Sequence, residues 1–179
     1  PTRGYRLLRD ATLSLTLRHE FARSFLDPRQ STPYTYAQSS LNSFVESDAQ
    51  FDCGPGLGAP IVDEALRGGH LHDHLGELFT VMAFIDDPDN DVTLDWITEE
   101  IGDYASLVKV VIVSAKPLPE PETNFVHDAS EDLRRAHDAC SGTVYLVRPD
   151  RHVAARLRTP WPGQLRAAMT RVLHPVHSS

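Results

Sequence analysis

The chain has 179 residues, of which 41% are hydrophobic, and a formal net charge of −8 at pH 7. This length suits one domain, or one domain with an appendage. The acidic balance argues against binding nucleic acid or another polyanion through a basic field. No apolar run approaches the roughly 18 residues that indicate a membrane helix, and no signal peptide is recognisable. We therefore expect no membrane partner.

Cysteine usage predicts a reducing compartment. The two cysteines, Cys53 and Cys140, lie far apart and form no C-x-x-C pair, which is typical of a cytoplasmic protein and not of a disulfide scaffold. The chain begins at Pro1 without Met, so we expect a processed chain or a piece of a longer one.

The first third of the sequence divides into a helix and an irregular segment. Residues 5–26 carry two apolar stripes, one with Leu13, Leu17 and Phe21, which predicts a helix that needs partners on more than one side. Residues 28–60, which we call the strap, are rich in Gln, Ser, Thr, Pro and Gly, and residues 54–58 are expected to be their most mobile part. These glycines do not predict a dinucleotide site, because no strand precedes them, no helix follows and Pro55 removes a backbone donor.

The rest of the chain alternates between strand and helix patterns. The predicted elements are a short strand at 61–62, a helical turn or loop at 70–75, a strand at 78–85, a helix at 91–105 with Asp91 as N-cap, a strand at 107–113, a Pro-rich loop at 114–127, a helix from Asp128 or Ser130 to Ala139, a β-hairpin at 142–156 and a helix at 161–173. The stripe of the last helix consists of Trp161, Leu165, Ala168, Met169 and Val172. This order predicts an α/β fold with a βαβ unit and a mixed sheet flanked by helices.

The hairpin is the centre of this prediction. Its first strand is apolar on both faces, so a covering layer is expected on each side and Leu146 should be buried together with Val111. Pro149 and Asp150 suit the second and third positions of a type I turn. Arg151 follows them, and a left-handed conformation there would cost a side chain about 1 kcal/mol, so another turn type is an alternative.

Several residue strings resemble one family. They are GAP at 58–60, the segment 71–80 running into a strand, LVRPD at 146–150 with Val153, Ala154 and Arg156, and YAQSSL at 36–41. Together they resemble the C-terminal thioredoxin-like domain of flavin-dependent aromatic hydroxylases, of the phenol hydroxylase and 3-(3-hydroxyphenyl)propionate hydroxylase type. Residues 1–43 resemble the last helix and exit strap of the preceding oxygenase domain, and 44–179 the thioredoxin-like domain. Arg151 departs from the glycine that the family usually has there.

The resemblance implies a parent enzyme that hydroxylates an aromatic ring with FAD, NAD(P)H and O₂. The flavin-binding regions of that family have no counterpart here, so we expect this chain to hold no cofactor and no catalytic residue. A redox thioredoxin has C-x-x-C after its central strand, where this chain has Asp86, Asp87 and Pro88. Disulfide exchange through Cys53 or Cys140 is therefore disfavoured.

Two clusters could hold a metal ion. His70, His72 and His74 alternate around Asp73, which suits zinc. The competing interpretation is that Leu71 and Leu75 point inward and the imidazoles lie in solvent. The carboxylates of Asp86, Asp87, Asp89 and Asp91 could hold Ca²⁺ but lack the glycine and distal glutamate of an EF-hand. We favour a solvated loop there, and a solvated face for the basic residues Arg148, Arg151, Arg156 and Arg158.

Three functions remain open. The favoured one is an accessory domain of a flavin hydroxylase that serves stability or subunit contacts. A stand-alone thioredoxin-fold redox protein and a histidine-based metal-binding module are the alternatives. The expected partners are the remainder of the parent oxygenase and a second copy of the chain, joined through residues 5–26 as a homodimer.

Overall fold

The computed structural model describes residues 34–43, 50–66, 69–88, 92–118 and 124–174, with the backbone alone for 92–94. The predicted helix at 5–26 and the residues Asp89 and Asp91 lie outside this part of the chain.

The described residues form seven strands and four α-helices. The strands are β1 (Ala65–Leu66), β2 (Gly69–His70), β3 (Phe79–Phe84), β4 (Val108–Ser114), β5 (Phe125–His127), β6 (Val144–Val147) and β7 (Val153–Leu157). The helices are α1 (Leu71–His74), α2 (Val92–Ile101), α3 (Asp132–Ala136) and α4 (Gln164–Leu173), and a 3₁₀ turn, Gly102–Tyr104, extends α2.

Five strands form one mixed sheet in the order β5-β4-β3-β6-β7. Strands β3, β4 and β5 are parallel, whereas β6 runs antiparallel to β3 and β7 antiparallel to β6. The β3–α2–β4 unit and the β6–β7 hairpin are the units that the sequence predicted. The mixed α/β fold is thus confirmed.

Both faces of this sheet are covered, as the two-sided apolar strands predicted. On one face Tyr145 and Val147 pack in a cluster with Leu71 of α1 and Leu133 of α3. On the other, Leu146 packs with residues of α2 and α4, among them Ile97, Leu165 and Met169. Leu146 and Val111 are both buried, at 1% and 0% exposure.

Three local predictions were wrong. Residues 61–62 form no strand, although Ile61 is buried and its amide donates to the Arg151 carbonyl at 2.8 Å. Strand β5 lies within the loop predicted to be irregular, because three residues are too short for a periodic pattern. Trp161 is 53% exposed and precedes α4, since Gly163 at φ +91° turns the chain before the helix begins.

Helix α3 is shorter than predicted, because it ends at Ala136 and not at Ala139. Of its two proposed capping residues, Asp128 accepts the amides of Leu133 and Arg134 at 3.3 and 2.9 Å. Ser130 instead donates its hydroxyl to Asp132.

The hairpin turn has Pro149 at its second position, and the Arg151 amide donates to the Arg148 carbonyl at 2.9 Å. Arg151 takes φ +65°, so the left-handed conformation is present and the alternative turn type is not needed. A type I turn followed by one left-handed residue is a common three-residue hairpin connection.

Arg151→Gly should raise the free energy of unfolding by about 1 kcal/mol, because glycine adopts a positive φ without the penalty that a Cβ incurs. Urea unfolding measures the effect. Arg151→Ala is the matched control, since it removes the exposed guanidinium and keeps the Cβ. Equal stabilisation by alanine would show that the side-chain charge, and not the backbone, is responsible.

Candidate functional site

The segment after the central strand β3 carries carboxylates that are already paired. Asp86 accepts from Arg134 Nη1 at 2.7 Å, and its amide donates to Ser141 Oγ at 3.1 Å. Asp87 pairs with Lys116 Nζ at 3.2 Å. These two members of the predicted acidic cluster therefore face cationic side chains, which compete with any Ca²⁺ ion.

Both cysteines are free thiols remote in sequence from that segment. Cys53 is exposed and Cys140 is half-buried. The Sγ atom of Cys140 lies 3.4 Å from Thr143 Oγ1 and 3.8 Å from the Arg158 carbonyl, to which it can donate. The Cys140 thiol therefore takes part in hydrogen bonds with neighbouring residues of the fold.

The histidine cluster has a partner that the sequence did not reveal. Leu71 is fully buried and Leu75 is 9% exposed, so the predicted apolar anchors are confirmed. The Nδ1 atoms of His70 and His72 lie 3.5 and 3.4 Å from Oδ2 of Asp63. Its other oxygen accepts the His72 amide at 3.0 Å.

His70 is the exposed member of this cluster, whereas His72 is partly covered. Among the described residues, no group of three or more His, Cys, Asp or Glu side chains is arranged to hold a metal ion. The zinc hypothesis therefore gains no support from these contacts.

The glycine-rich part of the strap is bonded to the outer edge of the hairpin, contrary to its predicted mobility. The Gly58 amide donates to the Val153 carbonyl and the Val153 amide to the Ala59 carbonyl, both at 2.8 Å. The Gly58 carbonyl accepts the Tyr36 amide at 2.7 Å. Gly58 has φ +71°, and a Cβ there would lie 2.2 Å from the Tyr36 carbonyl oxygen. Glycine at this position thus serves a close backbone approach.

Of the four basic residues predicted to form a solvated face, Arg151 is exposed as predicted, whereas Arg148, Arg156 and Arg158 are largely covered. Arg148 and Arg156 are each only 9% exposed. Arg156 donates to the Cys53 carbonyl at 3.1 Å and lies 4.5 Å from the centre of the Phe51 ring. Arg158 donates to the Gln50 carbonyl at 3.2 Å. These side chains hold the strap, which is why they are withdrawn from water.

Asp138 is the acidic counterpart of these arginines. Its Oδ2 atom accepts the amides of Asp52 and Cys53 at 2.8 and 3.3 Å, and Arg158 Nη1 at 2.8 Å. The hydrogen bond from Arg158 lowers the pKa of Asp138, and the same bond raises the pKa of Arg158. The sequence offered no indication of this site, because Asp138 lies 86 positions from Asp52.

His137 lies beside Asp138 and is fully buried. Its Nδ1–H donates to the Leu133 carbonyl at 2.8 Å, and its carbonyl accepts the Tyr145 hydroxyl at 2.6 Å. Nε2 has no hydrogen-bond partner among the described residues. Burial lowers the pKa of His137 to about 4, so the ring is neutral near pH 7.

Acidification should destabilise the fold through His137. The unfolded chain binds a proton below about pH 6.5, whereas the folded ring resists protonation until about pH 4. The free energy of unfolding should therefore fall by up to roughly 3 kcal/mol between these values. Chemical unfolding at stepped pH measures this slope.

His137→Asn keeps a donor for the Leu133 carbonyl but cannot titrate, so its slope over this range should be shallower. Exposed His174→Asn is the control and should keep the wild-type slope. An unchanged slope in His137→Asn would contradict the prediction, whatever the cavity costs in absolute stability.

The fold and these contacts define a mixed α/β domain whose arginines and aspartate hold an irregular strap against a hairpin. The chain belongs to the HcaD C-terminal domain family, whose sequence profile matches residues 59–172. The resemblance drawn from the sequence, to a C-terminal domain of flavin-dependent hydroxylases, is confirmed. No curated protein sequence matches the chain.

Solved structures have the same fold. The flavin-dependent monooxygenase PieE, in complex with FAD and substrate, matches 80% of this chain with 25% of its own, at 22% identity and a TM-score of 0.56. The rebeccamycin biosynthetic enzyme RebC in its substrate-free form matches 96% with 28% of its own chain, at 19% identity and a TM-score of 0.54. RebC-10x with bound 7-carboxy-K252c matches 95% with 28%, at 21% identity and a TM-score of 0.56. This chain thus spans about a quarter of the length of the structures it matches.

None of the helices that the structure describes is long and apolar enough to cross a membrane.

Proposed function

We propose that this chain is the accessory C-terminal domain of an FAD-dependent, NAD(P)H-using monooxygenase of aromatic rings, and that it performs no catalytic step itself. The observation that carries the proposal is the match of residues 59–172 to a C-terminal-domain family. The solved chains with this fold include a flavin-dependent monooxygenase with bound FAD, and each is about four times longer than the matched part.

The contacts of the described residues support a structural role. The carboxylates of Asp86 and Asp87 after β3 are paired with Arg134 and Lys116, and the sequence of this segment has no cysteine, which thioredoxin chemistry would need. In the glycine-rich segment, Gly58 serves the approach to Tyr36, and no helix N-terminus opens there to receive a pyrophosphate. Among the residues that the structure describes, no contact favours the redox or metal-binding alternative.

The hydrogen bonds between the strap and the hairpin indicate what the structural role is. Chain that merely tethers two domains makes few contacts, whereas residues 34–43 and 50–60 are hydrogen-bonded to the hairpin at several points. A parent enzyme would gain a fixed connection to this domain and not a flexible one. Stability and subunit contacts are the tasks that such an attachment serves.

The purified chain should show no flavin absorbance, and added FAD should keep the fluorescence of the free cofactor. The reason is that FAD binding commonly uses a strand, glycine loop and helix that receive its pyrophosphate. A fluorescence titration measures binding. Micromolar affinity would overturn the accessory role, as would dithiol-dependent reduction of a disulfide substrate that is lost in a Cys53→Ser, Cys140→Ser double variant.

We also propose that the chain forms a homodimer through residues 5–26, which lie outside the described part. If those residues form the predicted helix, the stripe with Leu13, Leu17 and Phe21 leaves apolar surface that self-association would cover, at roughly 25 cal/mol per Å². Light scattering of the full chain should give twice the monomer mass. Leu17→Ser with Phe21→Ser should give monomers, while Thr16→Ser, a change of a polar neighbour, should not. A monomeric wild-type chain at high concentration would refute the dimer.

A further inference from the structure

His152 lies directly after the hairpin turn, with its ring between the turn and the strap. Its Nδ1 atom is 2.9 Å from the Asp150 carbonyl oxygen and 3.3 Å from Oδ1 of the Asp150 carboxylate. Its Nε2 atom is 3.3 Å from the Tyr34 carbonyl oxygen. The Tyr36 ring meets the imidazole edge to face at 5.1 Å. One imidazole therefore joins the turn to the first described residues of the strap.

All three oxygens around this ring are hydrogen-bond acceptors. A neutral imidazole has one N–H, so it can satisfy the turn or the strap but not both. The lone pair of its second nitrogen would then face a lone pair of a carbonyl oxygen, which is repulsive. The imidazolium has two N–H groups and can donate to both sides at once. The geometry thus favours the charged ring wherever the strap is attached.

The charged groups around the ring act in opposite directions. The Asp150 carboxylate favours a positive imidazole, and it also accepts Arg148 Nη2 through its other oxygen at 2.5 Å. Arg148 Nη1 reaches Ser39 Oγ at 3.4 Å, so this cation lies on the same side of the strap and opposes a second positive charge. Arg151, the next residue in the turn, points its side chain into solvent. The nearest anion is thus shared between His152 and Arg148.

We propose that His152, Asp150 and the Tyr34 carbonyl form a proton-dependent clasp, which holds residues 34–36 of the strap when the imidazole is charged and releases them when it is neutral. Histidine side chains in general change charge between about pH 5 and 8, so measurements across that range test the clasp. The strap is also held by backbone hydrogen bonds, such as the amide of Ser43 to the Ala154 carbonyl, and by the side chains of Arg156, Arg158 and Asp138, and none of these contacts involves His152. The release is therefore local. It frees the segment that carries Tyr34 and Tyr36, residues that are 71% and 46% exposed.

Nuclear magnetic resonance on the ¹⁵N-labelled full chain tests the clasp. Ring-nitrogen spectra show whether His152 is doubly protonated at about pH 6 and singly protonated at about pH 8. Hydrogen exchange, corrected for intrinsic rates, gives the protection factor of the Tyr36 amide, which donates to the Gly58 carbonyl. This protection factor should fall about tenfold over the same interval, because the strap loses one charge-assisted hydrogen bond when the ring becomes neutral.

Two variants complete the experiment. His152→Gln stays neutral at all pH values, so its Tyr36 amide should show the lower protection throughout and no change with pH. His127→Gln is the matched control, because the His127 ring has a single carbonyl partner, Ala115, at 3.0 Å and should leave the wild-type response intact. The clasp is excluded if Tyr36 protection in the wild-type chain is the same at both pH values. It is also excluded if the fall persists in His152→Gln, or if the ring is singly protonated at about pH 6 with the strap attached.

Discussion

The outer edge of β7 is the constraint on which the rest of the structure depends. Strand β6 is buried between the two hydrophobic clusters, and β7 is its neighbour on the side away from β3. An edge strand with unpaired amides and carbonyls invites association with other chains. Here the strap takes up those groups, through Ser43 at Ala154 and through Gly58 and Ala59 at Val153. The arginines are buried for the same reason, because strap carbonyls and the Phe51 ring are their partners.

Strands and helices that show an apolar pattern within their own segment could be predicted from the sequence. Strands β3, β4 and β6 are apolar on both faces, which predicts a strand covered by two layers, and α2 and α4 have the period of a helix with one buried side. Helix α3 was foreseen, but it begins at Asp132 and ends at Ala136, within the predicted bounds. The His137 ring is instead held outside the helix, and Asp138 takes a positive φ. Neither the spacing nor the composition of the segment indicates that change.

The contacts at the candidate site could not be predicted, because each joins residues that are far apart in sequence. Asp138 carried no motif in the sequence, yet it binds the amides of Asp52 and Cys53 and the Arg158 side chain. Asp63 contributes an oxygen to two histidines whose alternation had suggested zinc. A charged residue in a polar segment predicts a solvated surface by default. Only the tertiary contacts show that Asp138 and Asp63 are paired with groups distant in sequence.

The physical domain therefore begins before the region that defines its family. The family profile starts at residue 59, whereas backbone hydrogen bonds attach residues 36, 43 and 58 to the hairpin or to the segment beside it. The strap also supplies Phe51 and Leu57 to the hydrophobic cluster that contains Tyr145. A piece cut at residue 59 would lose those side chains, expose the edge of β7 and remove the strap carbonyls that accept from Arg156 and Arg158. Since the cut would leave an unpaired strand edge and uncover apolar side chains of the core, the strap must be counted as part of the fold.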